Sequence, residues 1–199
     1  MKTMKSRIHV LKIIGIFLTG FLFVASCNSQ VKKDDTPINA SQVNIKPPKV
    51  DIHTAVVTDN LEALQQHIAA GSDINTKDPF GGSTPLISAT VFGKTEAAKI
   101  LINAGAELDV QNNDGSTALH TAAFFCHPEI VQMLLKNNAD TTIRNKFGAT
   151  AYESVAGSFA EVKEAYDMMG AMLSPMGLTL DYDYLKKTRP VIAEMLKNG

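Results

Sequence analysis

Two groups of residues in this chain could do chemistry by type and spacing. Cys126 and His127 stand side by side, a thiol next to an imidazole, as a nucleophile with its base or a pair of metal ligands would. Met168, Met172 and Met176 recur every four residues, and thioethers on one helical face are soft ligands suited to Cu(I). Each group has a plainer reading. Neighbouring residues on a turn rarely converge on one ion, and tetrahedral zinc asks for four ligands or for three and a water. Methionines at helical spacing also serve as adaptable core filler beneath a cap. If exposed, Cys126 is open to oxidation. The remaining acid and base equipment is thin. Beyond Asn28 the histidines are His53, His67, His120 and His127, and none falls in the last ~50 residues, which leaves that segment little to catalyse with near neutral pH. No glycine-rich phosphate loop, no G-x-S-x-G and no H-E-x-x-H is found, and Asp181 and Asp183 stand at what reads as a polar helix start. Nothing here demands an enzyme, and neither a cofactor nor a metal is expected.

The elements that would position these residues repeat. Thr84, Thr117 and Thr150 lie 33 residues apart, and Gly82, Gly115 and Gly148 keep the same step. Superposed, the units are Ile52 to Asp78, Pro79 to Asn112, Asn113 to Asn145 and Lys146 onward. The first two are offset by one residue more, because "DPFGGST" is one longer than "NNDGST"; the extra residue falls in a turn, where insertions cost least. The third unit shows the logic. Asp114-Gly115 signals a turn, Thr117 caps a short helix over Ala118 to Phe125, and Ala122 and Ala123 leave room for a neighbouring helix. Pro128 suits the first turn of a second helix, Glu129 favours its N-terminus, and Ile130, Val131, Leu134 and Leu135 form its apolar stripe. Two short helices cannot bury both apolar faces alone, so the unit needs neighbours on each side.

These residues resemble the ankyrin repeat, with its G-x-T-P-L-H-x-A-A, then G-H-x-E and an apolar run, then G-A-D. The second unit supplies Gly82, Thr84, Pro85, Leu86, Ala89, Gly93, Glu96, Gly105 and Ala106. The third supplies Gly115, Thr117, Leu119, His120, Ala122, Ala123, His127, Glu129, Ala139 and Asp140. The first keeps His53, Ala55, Glu62, Gly71, Asp73 and Asn75. The resemblance implies an all-α solenoid of helix-turn-helix repeats with short β-turn arms over residues 50–145. It also implies structural histidines at His53, His120 and His127, the first two bracing loops between repeats. In the fourth unit Glu153 stands where the family has histidine, and Glu161 comes one residue early against Glu129. Residues 146–199 therefore read as a divergent terminal repeat and helical cap, in which residues 180–199 look like a closing helix with Thr188 as its cap ahead of Pro190. Cys126 occupies the slot of Gly93, which points to a positive φ angle at a non-glycine residue.

In the family, a partner lies against the turn tips and inner helices. Carried onto this chain, the tips are Pro79, Phe80, Asn113, Asp114, Lys146 and Phe147, with Ser83 and Ser116 beside them. The inner-helix positions are Val57, Thr58, Val91, Phe92, Phe124 and Phe125. Five of the nine phenylalanines fall in this set, and aromatic residues are the usual anchors of protein recognition. Phe80, Val91, Phe92, Phe124, Phe125, Lys146 and Phe147 are the expected protein-binding residues. The alternatives are that Phe92 and Phe125 fill gaps between repeats, or that the C-terminal segment covers them.

The N-terminus adds a location. Lys2, Lys5, Arg7 and Lys12 precede an apolar run from Ile13 to Ala25 that is too short to span a bilayer and fits a secretory signal. "VASC", Val24 to Cys27, resembles the lipobox of bacterial lipoproteins, which implies cleavage of residues 1–26 and lipidation of Cys27. Removing this segment takes away four of the 19 basic residues and none of the 20 acidic ones, so the formal charge goes from −1 to about −5, which speaks against a nucleic-acid partner. With Cys27 acylated, Cys126 has no intrachain disulfide partner. Asn28 in place of aspartate favours the outer membrane, by the same resemblance. Residues 27–49 carry that cysteine and a polar, proline-dotted tether, whose "KKDD", Lys32 to Asp35, is a solvated linker or a surface-export signal. The expectation is a monomeric, non-catalytic module of the cell envelope that binds another protein and is held to a membrane through Cys27. The alternative is a copper or redox protein using the methionines and Cys126.

Overall fold

In the computed structural model, residues 45–198 are described; the leader, Cys27 and nearly all of the tether lie outside them. Nine α-helices follow in order: α1 Ile52–Val57, α2 Leu61–Ala69, α3 Pro85–Val91, α4 Thr95–Asn103, α5 Ala118–Phe124, α6 Pro128–Lys136, α7 Glu153–Ala156, α8 Phe159–Leu173 and α9 Tyr182–Asn198. A 3-10 turn, Ser174–Met176, follows α8. Among the described residues there is no strand.

Several helices start where the sequence can satisfy free N–H groups or spare one. Thr84 caps α3 and Thr117 caps α5 through their side chains, and Pro85 and Pro128 occupy first turns, where no N–H bond is lost. The short helices pair as α1 with α2, α3 with α4 and α5 with α6. The inner ones stack in the order α1, α3, α5, α7, and the outer ones in the order α2, α4, α6, α9. One apolar core runs through the stack, and equivalent positions form columns: Ile52, Leu86 and Leu119 are all buried. The fourth member of that column, Tyr152, is 38 % exposed, because the stack ends there.

The last unit departs from the sequence reading in two ways. Its outer helix is α9, whose Ile192 and Leu196 join the main core; α8 is an insertion between α7 and α9 with a single buried residue, Tyr166. And the closing helix does not start at Thr188. It is seventeen residues long and begins at Tyr182. The carboxylate of Asp181 accepts from the N–H groups of Asp183 and Tyr184, both at 3.0 Å. Pro190 lies inside the helix on its exposed side. A proline there costs about 3 kcal/mol, which the buried side chains on either side of it, Leu185, Arg189, Ile192 and Leu196, offset by anchoring both halves.

Candidate functional site

The turn tips are built to hold their shape. In the first, the Asp78 carboxylate accepts from the N–H groups of Phe80, Gly81 and Ser83 at 2.9, 2.8 and 2.6 Å. Burial pushes its pKa up, but these backbone bonds outweigh it and hold the group below the usual carboxylate value. Asn112 and Asn145 repeat the device: their side-chain oxygens accept from Asp114 and Ser116, and from Phe147 and Ala149. Successive tips are joined edge to edge, the Asn113 N–H donating to the Gly81 carbonyl at 2.9 Å and the Lys146 N–H to the Asp114 carbonyl at 2.8 Å. On this fixed row Phe80 is 92 % exposed and Phe147 79 %. Lys146, beside Phe147, is exposed too.

The inner-helix candidates fare differently. Val91 and Phe92, at the end of α3, are half-buried. Phe124, the last residue of α5, is half-buried against α8, and Phe125 after it is buried, which corrects the expectation that Phe125 is a binding residue. Phe125 is buried and meets Phe124 edge to face, with centroids 5.2 Å apart. Phe124 stacks on Tyr166 of the inserted helix α8 at 4.4 Å, and the Tyr166 hydroxyl donates to the Phe124 carbonyl. The sequence resemblance could not show this, because α8 has no counterpart in the repeat. The tips and Phe124 lie at opposite ends of the inner helices, α5 itself being seven residues or about 10 Å long. The tip row is therefore left clear.

Cys126 adopts the positive φ expected of it, 59°, against 62° at Gly93. It is not exposed. Its side chain is fully buried with Tyr166 and Leu185, and burial pushes the thiol up to about 11, so it is neither a thiolate nor an accessible ligand. The three methionines are the reverse of core filler: Met168, Met172 and Met176 are 64, 60 and 53 % exposed. They lie on the outside of α8 and the turn after it, whereas Tyr166, with Phe159 and Val162 packed beside it, faces the interior. Among the described residues no cluster of three His, Cys, Asp or Glu side chains could hold a metal.

The histidines are structural, with one exception to the bracing role. His120 Nδ1 receives the Thr117 N–H and hydroxyl at 3.3 and 2.9 Å, and Nε2–H donates to the Ala149 carbonyl at 3.1 Å, which ties α5 to the next tip. Glu153 replaces it in the fourth unit, accepting the Thr150 N–H at 2.8 Å while pairing with Arg144. His53 does not brace anything: neither ring nitrogen has a partner. The reason is the cap. Position 50 is a valine and cannot cap, so α1 is capped one residue later by Asp51, and the reciprocal bond that His120 makes is lost. His127 lies on Gly93, where a Cβ would come within 2.6 Å of its ring. Glycine is required there twice over, by contact and by φ.

Burial lowers the pKa of both His120 and His127, more than the carbonyls near them raise it. The unfolded chain, with histidines near 6.5, therefore binds protons that the folded one refuses. Stability is complete above about 6.5 and declines as pH falls from there towards the lowered folded values. Urea unfolding between about pH 7.5 and 5.5 checks this, and His127→Gln flattens the decline.

The comparisons agree with this geometry. Residues 52–145 match the family model for ankyrin repeats, in three copies. Protein phosphatase 1 regulatory subunit 27 of Homo sapiens is 39% identical over 64 residues, 32% of this chain and 41% of that protein. Protein phosphatase 1 regulatory subunit 12A of Mus musculus is 38% identical over 64 residues, 32% of this chain and 6% of the relative. The chain thus spans less than half the length of either relative. The crystal structure of the ankyrin repeat domain of Bcl-3 is similar at 30% identity with a TM-score of 0.50, covering 52% of this chain and 45% of that one.

Proposed function

We propose that the ankyrin repeats of residues 52–145 serve as a non-catalytic binding module, and that they hold another protein of the bacterial cell envelope along their row of turn tips. The observation that carries the reading is the exposure of Phe80 and Phe147 on tips fixed by backbone bonds. An aromatic ring held out in water has no folding role to explain it, and a ring already fixed in place loses little entropy on binding. The relatives point the same way, since they are named as regulatory subunits of an enzyme. In this reading Lys146, Val91 and Phe92 widen the contact, and Cys27, lipidated, keeps the module on a membrane, with the outer membrane favoured. The chain works as a monomer.

The test is crosslinking capture from intact envelopes, with wild type compared against Phe80→Ser combined with Phe147→Ser. Both side chains are exposed, so the double variant melts as wild type does. A protein retained by wild type and lost from the variant is the expected result; equal retention would refute the tip assignment. Cys27→Ser, in the same membranes, releases the protein into the soluble fraction if the anchor is as proposed.

A further inference from the structure

The C-terminal cap holds a charge that no carboxylate among the described residues neutralises. Arg189 is 2 % exposed. Its guanidinium donates only to neutral oxygens, from Nη1 to the Tyr166 hydroxyl at 3.0 Å and from Nη2 to the carbonyls of Ser154 and Gly157 at 3.2 and 3.3 Å. Nε is buried without an acceptor. The ion pairs formed among the described residues do not include it. Arginine does not deprotonate in proteins, and a buried charge with no counter-charge is costly.

A cleft of about 380 Å³ opens beside it, and its wall collects positive charge. Lys186, which also pairs with Asp183 at 3.6 Å, and Lys197 of α9 line it together with Arg189, against one carboxylate in the wall itself, Glu194. Gly157 and Ser158 bring the start of α8 to the same wall, and Ser158 makes no side-chain cap bond there. Fifteen residues long, α8 presents the positive end of its dipole at that point. Glu161 leans back on Gly157 but is not part of the wall.

We propose that this cleft binds a phosphate group, with Arg189 supplying the buried charge, Lys186 and Lys197 the outer cations, and the first turn of α8 its N–H groups. The cleft is larger than one phosphate, which leaves room for whatever the phosphate is attached to. The site is separate from the turn tips and stands or falls without them.

The chain has no tryptophan, and its four tyrosines, Tyr152, Tyr166, Tyr182 and Tyr184, all belong to the cap, so tyrosine emission reports on this region alone. The full chain is titrated at constant ionic strength with inorganic phosphate and, separately, with glycerol phosphate. A saturable change with either probe is expected; response to the ester alone identifies an esterified phosphate as the ligand. Lys186→Ala with Lys197→Ala, both exposed positions, weakens binding about tenfold or more while the melting temperature holds. Arg189→Met abolishes binding, and the lysine variant keeps the test decisive if that protein does not fold. No saturable response to either probe up to about 10 mM, or an unchanged midpoint in the lysine variant, overturns the proposal.

Discussion

Leu119→Ala lowers the unfolding free energy by about 2 to 5 kcal/mol, a large share of the 5 to 15 that a domain of ordinary stability has. Leu119 is 1 % exposed and sits in the middle of the stacked column, with Leu86 on the α3 side. On one flank α5 contacts α3 and on the other α7, so the cavity cannot collapse by moving one free end. In a stack, stability is close to a sum of unit and neighbour terms, and loss at a central unit weakens two interfaces together. Urea denaturation followed by circular dichroism measures the effect. Near-wild-type unfolding would mean that the third unit is not part of the stack.

The second large effect concerns the inserted helix. Tyr166 is fully buried and is the one side chain of α8 that is. It stacks on Phe124 and Phe159, receives a hydrogen bond from Arg189 and donates one to the Phe124 carbonyl. Tyr166→Ala therefore removes about 3 to 5 kcal/mol of packing from the cap and detaches α8 from the end of α5. Cys126 reports the event. In wild type its thiol is buried and pushed up to about 11, so alkylation near neutral pH is slow. In the variant the thiol meets water and labels rapidly. Peptide mapping after brief alkylation reads Cys126 separately from Cys27. Slow labelling in a folded Tyr166→Ala protein would show that α8 is held by more than its tyrosine.

Much of this fold was legible because its grammar is local. Thr117 and Pro128 mark helix starts through the satisfaction of backbone groups within a few residues, and the positive φ at Cys126 follows from its alignment with Gly93. The exposed tips at Phe80 and Phe147 were legible for the same reason, since a turn between stacked units has nowhere to hide a ring. Where the reading failed, the deciding contact was distant in sequence. Phe124 is covered by a residue 42 positions away. His53 is the exception, with a local cause: the cap moved by one residue, and the bond that His120 makes to its capping threonine has no counterpart.

The sequence by itself determined the repeating helical pairs and the tips, because each depends on spacing within one unit copied along the chain. Only the tertiary structure decided that α9 rather than α8 closes the stack, that Pro190 lies within a helix, and that α8 covers Phe124 while Met168, Met172 and Met176 face water. The physical reason is that α8 and α9 both carry apolar residues at helical spacing, so either could have been the outer helix. The choice was made by which one fits against α6 and α7, where Ile192 and Leu196 complete the core and α8 is left with Tyr166 as its single buried anchor.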